Sequence, residues 1–227
     1  MFIPLHDDTP LKVIRFQFVT VAIIVLNVVI FLFTGAFSSD VIQGNMASNF
    51  GVVPTELFHG GGNQHQIFEP LTLITYLFFH AGWMHLIGNM LFLWVFADNV
   101  EDAYGYVGFA IFYLLCGVIG GLTHAFMAPN SISPLIGASG AVSGVLAAYV
   151  VLFPRARVWI LLFMRIPVPV PAVWVLGGWF LLQVYSLAAA APGEDVAWWA
   201  HIGGFVAGII LTFALRNRLL ILPNRRN

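Results

Sequence analysis

Four polar side chains interrupt apolar runs: Ser139 in "LIGASGAVSG" (135–144), His201 in "AHIGGFVAG" (200–208), and His85 and Asn89 in "HAGWMHLIGN" (80–89). A serine hydroxyl becomes a nucleophile when a base within hydrogen-bond reach takes its proton, and histidine suits that task near neutral pH. Ser139 and His201 fill these two roles. Acyl transfer also needs donors where negative charge grows on the carbonyl oxygen. His85, Asn89 and the Ser139 backbone N–H are the candidates, with His85 and Asn89 four residues apart on one helix face. No carboxylate is available to orient the base, the nearest being Asp98, so the expectation is a Ser-His dyad with His201 held by packing. Metal chemistry of the His-Glu-x-x-His kind is excluded by spelling, because no His is followed by Glu. An aspartyl dyad within the spans is likewise absent, and no metal or organic cofactor is expected.

The solvent of these groups follows from composition. Of 227 residues, 60% are hydrophobic and 8% charged, against about 25% charged in a typical soluble domain. The chain is therefore read as an integral membrane protein. Its net charge is -1, and no Lys/Arg cluster is long enough to neutralise several phosphates, which excludes nucleic acid as a partner. The single cysteine, Cys116, lies in an apolar run and reads as a packing residue. The opening "MFIPLHDDTPLKVIR" lacks the basic start and cleavage site of a signal peptide, so the first apolar segment is expected to be retained.

Crossing a hydrocarbon layer of roughly 30 Å takes about 20 apolar residues. Fewer suffice where a helix begins inside the protein, and six candidates appear: 16–37, 84–96, 106–127, 138–153, 171–189 and 196–215. The segment "ADNVEDAYG" reads as an acidic loop between the second and third, and "VWILLFMRIPVPV" as a short interfacial piece before the fifth. The fold class is thus an all-α, six-span bundle with a short submerged fourth helix. It forms a single unit over 1–227, with a core at 69–216 and tails at 1–15 and 216–227.

All nine basic residues, Lys12, Arg15, Arg155, Arg157, Arg165, Arg216, Arg218, Arg225 and Arg226, fall on one side of this arrangement, which makes that side and both tails cytoplasmic. Counting residues at about 1.5 Å each from Arg155 and from Glu194 and Asp195 brings Ser139 and His201 to a similar depth. Both are submerged on the outer side, and span two, which descends from the outside, carries His85 and Asn89 in its outer half. Gly140 and Gly144 in span four and Gly204 and Gly208 in span six, with Gly137 nearby, form stripes that let the helices approach closely. Ser143, one turn below Ser139, faces that seam. His80 and His124 read as interfacial groups.

These motifs resemble the rhomboid family of intramembrane serine proteases: "GASG" at 137–140 is similar to its nucleophile motif, 200–208 to its His-x-x-Gly-x-x-x-Gly helix, and 80–89 to its His and Asn segment. The resemblance implies Ser139 as nucleophile, His201 as general base and then acid, and His85 and Asn89 as oxyanion donors. It also implies cleavage of single-pass or multi-pass membrane-protein substrates, after a small residue, near the outer membrane face. Leu71-Thr72 stands where several bacterial members carry a Trp-Arg pair. Ser143 stands where they often carry a Tyr that stacks on the histidine. The loop 38–69, span five and "AAAAPGEDVA" are the expected movable parts. The alternative functions are a non-proteolytic binder of membrane helices and, third, a proton-coupled transporter. Size and the lack of a transit peptide point to a prokaryotic plasma membrane; no oligomeric state follows from the residues.

Overall fold

A computed structural model describes residues 3–59, 67–162, 165–190 and 197–220. The chain runs β1 (Ile3–Asp7), α1 (Phe18–Phe31, continued by a π-turn Leu32–Ala36), α2 (Asp40–Phe50), α3 (Pro54–His59), α4 (Thr72–Thr75) and α5 (Trp83–Met127). It continues through α6 (Ser139–Leu152), β2 (Arg157–Leu162), β3 (Ile166–Pro171), α7 (Ala172–Ala189) and α8 (Trp198–Ala214). Three helical segments, Phe18–Ala36, Trp83–Met127 and Ala172–Ala189, are long and apolar enough to cross a membrane. Ser139–Leu152 and Trp198–Ala214 are shorter apolar helices. Glu194, Asp195, Arg225 and Arg226, used above to gauge depth and sidedness, lie outside the described residues.

The expected acidic loop is helical. Residues 98–104 continue α5, and the break comes at Gly105, whose φ of 69° and ψ of 167° lie where a side chain is strained. The chain folds back there: His85 lies against Gly137, and Gly120 against Gly140, so positions 35 residues apart on α5 reach the same short stretch. Along a straight helix they would be separated by about 52 Å.

The acids are helical because the N-terminal segment supplies their partners. Glu101, fully buried, accepts from the backbone N–H of Val19 (3.0 Å) and Thr20 (2.8 Å) and from Thr20 Oγ1 (2.7 Å). These are first-turn N–H groups of α1, whose own N-cap Gln17 makes no side-chain bond, so a carboxylate from α5 caps the helix. Asp102 accepts from Lys12 N (2.8 Å), Val13 N (2.7 Å) and Ile14 N (2.7 Å). The expected N-terminal tail is therefore pinned. Hydrogen bonds to charged acceptors are worth about 1.5–3 kcal/mol each. Glu101→Ala is accordingly expected to destabilise the protein by about 3 kcal/mol in a detergent unfolding titration; an unchanged midpoint would show that α1 does not depend on this cap.

The all-α expectation also needs correction. The interfacial piece and the N-terminus form an antiparallel sheet in the order β1-β2-β3. In β3, Pro167, Pro169 and Pro171 recur every second residue. As residues without an N–H they can share the hydrogen-bonding phase that faces away from β2, which an edge strand permits. Tyr149 of α6 donates its hydroxyl to Asp7, and Leu220 N donates to Ala103 O (2.8 Å). The N-terminal strand, the Gly105 bend, the hairpin and residues 216–220 thus gather at one end of the bundle, and the N-termini of α6 and α8 lie at the other.

Candidate active site

The site is assembled where α5, α6 and α8 touch backbone to backbone. A Cβ added to Gly204 would run into the carbonyl of Gly140, and one added to Gly208 into that of Gly144. One on Gly120 would lie 2.9 Å from the Ala200 carbonyl. The sequence reading found the α6 and α8 stripes and missed the third, although Gly117, Gly120 and Gly121 in "CGVIGGLTH" spell it. Gly137 precedes α6 with φ of 120°, and its missing Cβ makes room for the His85 ring of α5.

This approach sets His201 Nε2 2.8 Å from Ser139 Oγ. Ser139 is the first residue of α6, so the N–H groups of that turn have no acceptor within the helix. The Ser139 carbonyl accepts from Ser143 Oγ (2.6 Å), and Ser143 is fully buried in the seam. His85 Nδ1 accepts from Ala81 N (3.4 Å), which leaves the proton on Nε2, the nitrogen that faces Gly137. Asn89 spends one amide hydrogen on the His85 carbonyl (3.0 Å) and keeps a second. His80 is buried, edge-on to His85 with ring centroids 4.9 Å apart. The segment where bacterial members carry Trp-Arg is held by Thr72 Oγ1 on the Glu69 carbonyl (2.6 Å) and by Phe50 stacked on Phe79.

His201 is held by more than packing. Trp179 of α7 and Trp198 of α8 stand against its ring, with centroids at 6.1 and 6.0 Å. Its Nδ1, however, lies 2.9 Å from Gln183 Oε1. The sequence reading passed over Gln183, yet the signal was present: a carboxamide alone in "WFLLQVY" is as costly in an apolar span as the histidine that did draw notice. Among the described residues, no group of three or more His, Cys, Asp or Glu side chains is placed to hold a metal ion.

The family model "Rhomboid domain" matches residues 67–218. The chain belongs to the rhomboid family. This rhomboid is 30% identical over 147 residues to "RHOMBOID-like protein 6, mitochondrial" of Arabidopsis thaliana, covering 65% of this chain and 44% of that protein. It is 32% identical over 154 residues to "Rhomboid-like protein 11, chloroplastic" of the same plant (63% and 51%). It is 27% identical over 165 residues to "Rhomboid-like protease 3" of Toxoplasma gondii (69% and 56%). The chain thus spans about half the length of the curated relatives it matches. These comparisons overturn the assignment to a prokaryotic plasma membrane with cytoplasmic tails, since four of the relatives it matches are named as mitochondrial or chloroplastic. Charge bias distinguishes the two sides of a membrane but not one membrane from another.

Proposed function

We propose that this rhomboid is an intramembrane serine endopeptidase that hydrolyses transmembrane proteins through a Ser139-His201 dyad. The observation that carries the proposal is the 2.8 Å contact between His201 Nε2 and Ser139 Oγ, made by residues 62 apart in the chain. Ser139 Oγ attacks the scissile carbonyl while its proton passes to His201 Nε2. The oxyanion is met by Ser139 N–H, His85 Nε2–H and the second amide hydrogen of Asn89. Collapse breaks the C–N bond as His201 returns the proton to the amine, and water, activated by the same base, then hydrolyses the acyl-enzyme.

The architecture proposed for this activity is a six-span unit with its core at 69–216. The 45 residues of α5 would extend about 68 Å, twice the hydrocarbon thickness, and the bend at Gly105 lets them cross and return. The 14 residues of α6 reach only about 21 Å, so a helix anchored at the arginine-bearing end leaves Ser139 submerged near the opposite face. Substrate and water meet there.

The test is purified protein in liposomes with a reporter carrying one transmembrane helix. Cleavage within or beside that helix, unaffected by EDTA, is the expected result. Capture of the reporter without a cut would instead make the protein a binder of membrane helices.

A further inference from the structure

We infer that Gln183 is a positioning residue that fixes the tautomer of His201, leaving Nε2 free to take the serine proton; this rests on the dyad proposed above. The argument is one of donors and acceptors. Gln183 Nε2 lies 3.4 Å from the Trp179 carbonyl, and its Oε1 lies 2.9 Å from His201 Nδ1. A backbone carbonyl only accepts, so the amide nitrogen must face Trp179 and the amide oxygen must face the imidazole. That oxygen also only accepts. Nδ1 must therefore carry the ring proton, and a neutral imidazole with Nδ1–H has a bare Nε2.

The other tautomer would set two acceptors against each other at the Gln183 contact and turn an N–H toward Ser139, where a base is needed. Gln183 thus does by hydrogen bonding what an orienting carboxylate does in a three-membered site, without charge. When Nε2 takes the serine proton, the same carbonyl dipole continues to accept from Nδ1–H of the imidazolium. The side chain is buried, 6% exposed, and extends from an apolar helix whose opposite face carries exposed Trp174, Leu181, Leu182 and Tyr185. Because Gln183 is on α7 and His201 on α8, the bond also joins two helices.

Kinetics on a transmembrane reporter across pH, with ring ¹⁵N spectra of histidine-labelled protein, test this. Gln183→Leu removes the acceptor at similar volume and is expected to lower kcat about 10²-fold with KM within about twofold. Gln183→Glu is expected to keep kcat within about tenfold and to move the acid limb of its pH profile up by about one unit, because a carboxylate favours the imidazolium. The His201 signal, identified by its loss in His201→Asn, is expected to show Nδ1 protonated in the unsubstituted protein. Undiminished kcat in Gln183→Leu, an unmoved limb in Gln183→Glu, or an unprotonated Nδ1 would each overturn the inference. If the leucine variant fails to fold, the glutamate profile and the spectrum decide. Ser139→Ala in parallel separates the two ideas: persistent cleavage there sinks the dyad itself, whereas a silent Ser139→Ala beside a fully active Gln183→Leu sinks only the role of Gln183.

Discussion

Replacing Ser139 by alanine is expected to lower kcat/KM for a transmembrane reporter at least about 10⁴-fold while leaving the protein folded. The loss is large because no second hydroxyl can substitute: Ser143 is fully buried and bonded to the Ser139 carbonyl. The fold is spared because Oγ makes its bond to His201, and the Ser139 carbonyl that holds Ser143 is backbone and survives the change. His201→Ala should fall to the same floor, and the double variant no further, since a nucleophile and its base act as one unit and their losses do not add. Comparison of kcat/KM for the two single variants and the double variant checks this. Additive losses would mean that the two side chains work independently.

The second large effect comes from a residue with no side chain. Gly204→Val is expected to lower activity about 10²-fold or more and to cost about 3 kcal/mol of stability. A Cβ at 204 would strike the Gly140 carbonyl, which belongs to the backbone and cannot rotate away, so α6 and α8 must separate. Ser139 precedes Gly140 and His201 lies one turn from Gly204, so a separation of about 1 Å opens the dyad contact directly. Gly88→Ala and Gly177→Ala are the controls, because nothing lies within 4 Å of an added Cβ at either position. Reporter cleavage and unfolding midpoints read together should show both losses at 204 and neither at 88 or 177. Full activity of a folded Gly204→Val protein would mean that the seam does not position the site.

Much of the site was legible because membrane burial makes polar residues expensive, so Ser139, His201, His85 and Asn89 stood out against their surroundings. The glycine stripes on α6 and α8 were legible for the same reason in reverse, as small residues where bulk was the rule. Gln183 obeys the rule that exposed His201 and was still passed over, since a carboxamide has no familiar place beside a serine and a histidine. The acidic run at 98–104 was misread because charge alone suggests a loop. Its helical state depends on Glu101 and Asp102 finding backbone donors some 80 to 90 residues earlier in the chain. The sheet was hidden similarly: β1 pairs with β2 across more than 150 residues, and a strand of alternating prolines carries little strand propensity of its own. Local pattern records what a residue costs where it lies, and long-range pairing decides what offsets that cost.

The most direct test of the central claim is where a fluorophosphonate attaches. Purified, folded protein treated with such a probe and digested for mass spectrometry should carry the adduct on Ser139 alone, with labelling lost in His201→Ala. An adduct on Ser143 or another serine, or an unlabelled Ser139 in a preparation that still cleaves its reporter, would contradict the account.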